Sequence, residues 1–173
     1  YSLTRLPALI VVGEIDQAMA KESFLKTLGE KQGAALVAAK FPPLYLDLAT
    51  GKVIGLLSMT YITSRQCKDC SEATLHRQAL ASLNIKPAEE KTYDEKDPEG
   101  KRLIAAYAIK KVPTMLLQGD LGAYPQISEV LSSLGTLERG NTYVFRSPEL
   151  FGAYRDLTLG KVIKPEIEKS DKE

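Results

Sequence analysis

The Cys67-Lys68-Asp69-Cys70 motif constrains this chain more than any other feature, because it holds the only two cysteines among 173 residues. Two thiols separated by two residues can close into a disulfide and reopen. At the start of a helix, unpaired backbone N–H groups and the helix dipole stabilise a thiolate, which is the attacking species in thiol–disulfide exchange. The motif therefore predicts a redox-active dithiol.

Two other interpretations of the motif remain open. A purely structural disulfide would more often join distant loops, since a two-residue spacing closes little chain entropy. A structural zinc site needs about four ligands. Only Cys67, Cys70 and His76 are close in sequence, so a metal would have to be shared between two chains. His76 by itself predicts a surface or partly buried helix residue.

Hydrophobic periodicity places the motif between a strand and a helix. The run 55–63 is apolar and β-prone, and 71–83 carries apolar residues at helical spacing. Cys67 is therefore expected just before the first helical turn, as the more exposed and more reactive thiol, and Cys70 inside the turn, where it is shielded. Three further elements are predicted, namely a strand over 90–93, a helix that opens at Asp97-Pro98-Glu99 and runs to Tyr107, and an apolar strand over 111–117.

With Val112-Pro113-Thr114 opening the last of these strands, residues 56–146 resemble the thioredoxin superfamily. The resemblance implies an α/β, thioredoxin-like fold with a central mixed sheet flanked by helices. It implies that Cys67 is the nucleophile and Cys70 the resolving thiol. It also implies a cis Val112–Pro113 bond against the disulfide, with the backbone of Val112 offered to an extended substrate. From the residues alone, Pro113 also fits a trans proline at the start of a strand.

The surroundings of the motif depart from thioredoxins proper. The chain contains no Trp, and the predicted strand before the motif contains no carboxylate. Lys68 favours the Cys67 thiolate and Asp69 disfavours it, so these two side chains modulate the site in opposite senses. Reduction, oxidation and isomerisation of substrate disulfides all remain open.

The remaining chain is organised around this predicted domain, 56–163. Residues 1–55 are predicted to form an N-terminal extension of strand, helix and hairpin, packed on the core as one compact unit. Its helix is expected from Asp16 towards Lys40, and its hairpin is expected to turn near Gly51.

Three local features complete the prediction. An insertion over 119–141 follows the proline strand and is expected to include a short helix with Ile127, Val130, Leu131 and Leu134 on its apolar face. The segment 45–54 matches 154–163 at most positions, which we interpret as two hairpins with one turn chemistry, a duplicated half-domain being the alternative. Residues 164–173 are charged and predicted to be disordered.

Composition limits the class of partner. The formal net charge of +1 gives no indication of nucleic-acid binding. No apolar run reaches the ~20 residues that span a bilayer. Because the sequence begins at Tyr1 rather than Met, we expect that a segment was removed ahead of it, for which a signal peptide or a membrane tether is a candidate. The lack of other cysteines suits an extracytoplasmic (periplasmic or cell-surface) location and a cytoplasmic one alike, and we slightly favour the extracytoplasmic one.

The sequence thus predicts a thiol–disulfide oxidoreductase that exchanges disulfides with protein substrates through Cys67 and Cys70. We expect no cofactor and no bound metal, with protein thiols or disulfides and a redox partner as the interacting molecules. The alternative class is a thioredoxin-like binding or scaffold module with little turnover. An intact dithiol favours the enzyme, since a module that only binds has no need of both sulfurs.

Overall fold

The chain is a mixed α/β protein with two compact units. The computed structural model describes residues 1–125, 127 and 131–165, and these contain four α-helices and fourteen strands. The units are Tyr1–Leu56, called unit 1, and Leu57–Glu173, called unit 2. None of the helices in the described ranges has the length and apolar character needed to cross a lipid bilayer.

Unit 1 is built from two small antiparallel sheets. Its elements are, in chain order, β1 (Arg5–Leu6), β2 (Leu9–Val12), α1 (Ile15–Lys21), α2 (Leu25–Leu28), β3 (Gly29–Gln32), β4 (Ala35–Ala38), β5 (Tyr45–Asp47) and β6 (Lys52–Ile54). One sheet has the order β1-β5-β6 and the other has the order β2-β4-β3. The predicted hairpin is confirmed as β5 and β6, with Gly51 at φ +68° in its turn.

The single helix predicted from Asp16 to Lys40 is wrong. Helical structure ends at Leu28, and β3 and β4 then form a hairpin in which Gly33 adopts φ +63°. Gly29 lies against the carbonyl of Val37, where a Cβ atom would not fit. The glycines therefore permit a hairpin in this segment, and the burial of β4 overrides the helical propensity of its alanines.

Unit 2 is built on a five-stranded mixed sheet. Its elements are, in chain order, β7 (Leu57–Thr63), α3 (Ala73–Ser82), β8 (Glu89–Asp94), α4 (Pro98–Ala106), β9 (Lys111–Val112), β10 (Thr114–Gly119), β11 (Gly135–Glu138), β12 (Thr142–Phe145), β13 (Tyr154–Asp156) and β14 (Lys161–Ile163), with 3₁₀ turns at Leu121–Ala123 and Pro148–Phe151. The sheet order is β11-β12-β10-β7-β8, with β7 and β8 parallel and the other neighbours antiparallel. The predicted central mixed sheet is confirmed.

Apolar side chains cover both faces of this sheet. Alternate residues of a strand point to opposite faces. Accordingly, Met115 and Leu117 of β10 pack with Leu80 of α3, whereas Leu116 packs with Leu103 of α4. The two helices thus lie on opposite faces, and the sheet is buried between two apolar clusters.

A separate three-stranded sheet borders the end of β10. Its order is β14-β13-β9, and Val112 of β9 is paired with Arg155 of β13. β9 is an edge strand of this sheet in the part of the chain that the structure describes. The helix predicted within 119–141 falls partly on residues 126 and 128–130, which lie outside the described residues, as do residues 166–173 of the predicted tail.

The six strands of unit 1 and the last six strands of unit 2 pair in the same order and in the same register. Strands β1 to β6 correspond, one by one and in chain order, to strands β9 to β14. The paired residues correspond as well, since Gly29 lies opposite Ala38 just as Gly135 lies opposite Phe145. A cation also stacks on the corresponding tyrosine, Arg5 on Tyr45 and Lys111 on Tyr154. We call 4–54 the first repeat and 110–163 the second. The two similar hairpins are thus part of a duplicated half-domain, the alternative to our interpretation.

Candidate functional site

Cys67 and Cys70 form a disulfide in the loop between β7 and α3. Their Cα atoms are 5.4 Å apart. The loop begins with a tight turn, in which the backbone N–H of Cys67 donates to the carbonyl oxygen of Ser64 at 3.0 Å. β7 thus delivers the motif to the end of the sheet next to β9.

The predicted position of the motif at a helix start is wrong. α3 begins at Ala73 with Glu72 as its N-cap, so Cys70 precedes the helix and Cys67 lies further upstream. The physical reason is that Cys70 forms an isolated parallel bridge with Ala153, which requires extended rather than helical backbone. The helix dipole therefore acts on neither sulfur from within the first turn.

The predicted exposure of the two cysteines is also wrong. Cys67 is buried, with 8% of its surface exposed, whereas Cys70 is half-buried. The turn from Ser64 folds Cys67 inward, and Lys68 and Asp69 remain exposed. The structure therefore makes Cys70 the more accessible cysteine of the pair.

The structure brings the other predicted site residues to the disulfide. The Val112–Pro113 bond is cis, as the resemblance implies, and the Leu6–Pro7 bond at the same position of the first repeat is cis as well. Sγ of Cys70 lies 4.0 Å from the carbonyl oxygen of Val112. Pro113 and both cysteines line one groove of about 320 Å³. Residues more than 40 positions apart in sequence thus share one surface.

The two central residues of the motif differ in their environment. Asp69 pairs with Lys164, whose Nζ lies 2.5 Å from its Oδ2, and this hydrogen bond lowers the pKa of the Asp69 carboxyl. Lys68 is exposed beside it. Because Lys164 offsets the charge of Asp69, the positive charge of Lys68 is less opposed than the sequence suggests, although solvent screens all three groups.

An acidic loop after β8, which the sequence prediction overlooked, holds the base of the motif loop. Asp94 accepts hydrogen bonds from the backbone N–H of Arg65 at 2.6 Å and of Lys96 at 3.0 Å. Burial of Asp94 acts to raise its pKa, but these two bonds and the positive charges of Arg65 and Lys96 together keep the pKa below its usual value. The Asp97 carboxylate accepts from the backbone N–H of Asp94 and pairs with Arg65 instead of capping α4.

Glu95 lies deeper in the same loop. It is 7% exposed and accepts a hydrogen bond from Ser64 Oγ at 3.0 Å. Its second partner is Arg155 of β13, whose Nε lies 2.9 Å from Oε1. The acidic residues that follow β8 were a sequence signal for this loop. Arg155, however, is 60 residues from Glu95, and no local pattern connects these two residues.

His76 is fully buried rather than at the surface. It is 2% exposed and packs edge-on against the rings of Tyr61, Phe145 and Phe151 at centroid distances of 4.9 to 5.1 Å. Its Nε2 has no hydrogen-bond partner among the described residues. Burial lowers the pKa of His76 to about 4. It is a neutral core residue on the inner face of α3.

The described residues contain no group of three or more His, Cys, Asp or Glu side chains arranged to hold a metal ion. A metal shared between two chains involves a second copy, so that interpretation stays a prediction.

Comparison with known proteins adds no family: no protein-family model, curated protein or solved structure matches the chain.

Proposed function

We propose that the chain is a thiol–disulfide oxidoreductase with a thioredoxin-like domain in unit 2, acting on protein substrates through Cys67 and Cys70. One observation carries the proposal. The disulfide lies in a surface groove beside the backbone of Val112, at the end of the sheet rather than in its core. Structural disulfides more often join distant parts of a chain, whereas this one closes a two-residue spacing beside a groove, which supports a role in exchange.

The exchange starts at Cys70, the less buried cysteine, which reverses the roles that the resemblance implies for Cys67 and Cys70. In the reduced protein, the Cys70 thiolate attacks one sulfur of a substrate disulfide, which forms a mixed disulfide and releases the other substrate sulfur as a thiolate. The Cys67 thiolate then attacks Sγ of Cys70 and releases the second substrate thiolate. Two electrons pass to the substrate, and the Cys67–Cys70 disulfide forms. A protein dithiol partner returns the enzyme to its reduced state, and an oxidising enzyme runs the same steps in reverse.

The position of β9 supports a protein substrate. β9 is paired on one side by β13, and its other edge has no strand beside it among the described residues. An extended peptide that adds to such an edge gains main-chain hydrogen bonds whatever its side chains. Val112 is 0% exposed and Pro113 is buried as well, so the contacts that cover this edge must open before a peptide pairs with Val112 and its sulfur meets Cys70.

The proposal is tested by disulfide exchange with two opposite substrates. We expect the reduced protein to reduce insulin, or the oxidised protein to oxidise reduced ribonuclease. Cys67→Ser and Cys70→Ser each abolish turnover, while Lys101→Ala, at an exposed position of α4 that does not line the groove, retains most of it. Turnover by either serine variant at the wild-type rate contradicts the proposal.

A binding module is the second candidate, and the burial of Cys67 favours it. A buried sulfur reacts slowly because attack requires access along the S–S axis. In that case a double Cys67→Ser, Cys70→Ser variant binds its partner protein as tightly as the wild type does, and neither substrate above is turned over.

A further inference from the structure

A buried ion pair between Glu95 and Arg155 links the two sides of the candidate site, which are the motif loop and the paired strands β13 and β9. Glu95 and Arg155 have side chains that are only 6% and 18% exposed, and the Glu95 carboxylate is bound by both Arg155 Nε and Ser64 Oγ. Burying two charges costs free energy unless both are paired and hydrogen-bonded. Their remaining bonds are therefore informative about the role of the pair.

Glu95 is linked to the Cys67 side of the disulfide, and Arg155 is linked to the Cys70 side. Ser64 is held by Glu95 through its hydroxyl, and its carbonyl oxygen accepts from the backbone N–H of Cys67. Arg155 lies directly opposite Val112 in the β13–β9 pairing. The carbonyl of Val112 is in turn 4.0 Å from Sγ of Cys70. One carboxylate thus connects the loop that carries Cys67 with β13, the strand that pairs with β9.

The duplicated half-domain shows that the backbone does not require this arginine. Leu46 occupies the position of Arg155 in the first repeat, with the same register: Leu46 lies opposite Leu6 and Val53, as Arg155 lies opposite Val112 and Val162. The first repeat contains no cysteine. The charged residue therefore occurs in the copy whose strand β9 borders the disulfide, and a leucine occupies the same position of the first repeat.

We infer that the Glu95–Arg155 pair positions the motif loop against β9 and sets how readily the Cys67–Cys70 disulfide is reduced. This inference rests on the proposed redox function. Both are positioning residues, since neither touches the sulfurs. Ionisation of a reduced cysteine places negative charge at the site, so an unpaired Arg155 favours the reduced state and an unpaired Glu95 disfavours it. Removing Glu95 and removing Arg155 should therefore shift the equilibrium between the disulfide and the dithiol in opposite directions.

The test is the equilibrium constant for reduction of the disulfide by glutathione, followed by thiol labelling and mass spectrometry. We expect Glu95→Gln to raise the constant and Arg155→Leu, which introduces the residue of the first repeat, to lower it, each by about threefold or more. The double Glu95→Leu, Arg155→Leu variant, which leaves no unpaired buried charge, should lie between them. The double variant also provides a measurement of the equilibrium constant where a single variant does not fold.

A matched control separates this role from general stability. Glu138→Gln removes a half-buried ion pair with Arg146, 2.8 Å long, that has no contact with the motif loop. We expect it to leave the equilibrium constant unchanged. Equal constants in the wild type and the Glu95 and Arg155 variants, or shifts of both in one direction, overturn the inference. A wild-type disulfide that glutathione and dithiothreitol do not reduce in the folded protein overturns the proposed function itself.

Discussion

Acidification should destabilise the protein through His76. In the folded state burial holds the pKa of His76 at about 4, whereas the ordinary value is 6.5. The unfolded chain therefore takes up a proton on His76 as the pH falls below about 6.5, and the folded chain does not until about pH 4. The stabilising contribution of the neutral imidazole is complete above pH 6.5 and is lost between about pH 6.5 and 4.

The magnitude follows from the difference between these two pKa values. About 2.5 units at about 1.4 kcal/mol per unit correspond to a loss of roughly 3 kcal/mol in the free energy of unfolding at the acid end. That is a large part of the 5–15 kcal/mol, roughly, that stabilises a typical domain. The cause lies in the site of His76, where three aromatic rings surround the imidazole and no described carboxylate bonds to it.

Urea unfolding followed by circular dichroism between pH 7.5 and 4 measures this effect. Carboxylates such as Asp94 also titrate at the acid end, so the wild type is compared with His76→Phe, which keeps an aromatic ring but cannot be protonated. Because His76 is the only histidine, the difference between the two curves isolates its contribution. We expect this difference to change by roughly 3 kcal/mol across the range. Parallel curves would show that His76 takes up its proton equally in both states.

Two further experiments test the exposure of the two cysteines and the close packing at Gly135. Brief alkylation of the reduced protein, followed by peptide mass spectrometry, should label Cys70 before Cys67, since Cys67 is the buried partner; earlier labelling of Cys67 refutes the assigned order of attack. Gly135→Ala should lower the free energy of unfolding by about 1–3 kcal/mol, because its Cβ would overlap the carbonyl of Val144. Gly122→Ala, where the added Cβ meets no atom, is the control and should change it by less than about 0.5 kcal/mol in urea unfolding.

The sequence predicted the elements whose signals are local. β7, α3, β8 and α4 were found within a few residues of their bounds, because apolar periodicity and the Asp97-Pro98 start operate over short distances. The position of Pro113 beside the cysteines was implied by the resemblance to the thioredoxin superfamily, while the residues alone left a trans proline open. The segment 29–38 failed because alanines favour a helix, whereas strand pairing and burial, which decided the outcome, are not local.

The chemistry of the candidate site was only partly predictable. The cysteine pair and Val112 were found from motifs, but the burial of Cys67 depends on a turn whose hydrogen bonds are not visible in a motif. Glu95 and Arg155 meet only because β13 is paired with β9, a long-range contact between strands of two or three residues. No periodic pattern marks such short strands.

The duplicated half-domain also poses a problem for the folding chain. Two sets of strands with one pairing register can exchange partners, and such misassembly is a characteristic failure of proteins built from repeats. Side-chain size discriminates against it here. Where β4 buries Ala38, β12 buries Phe145, so strand β12 taken into the first repeat would force a phenyl ring into the space of a methyl group. The divergence between the copies thus keeps each set of strands with its own partners.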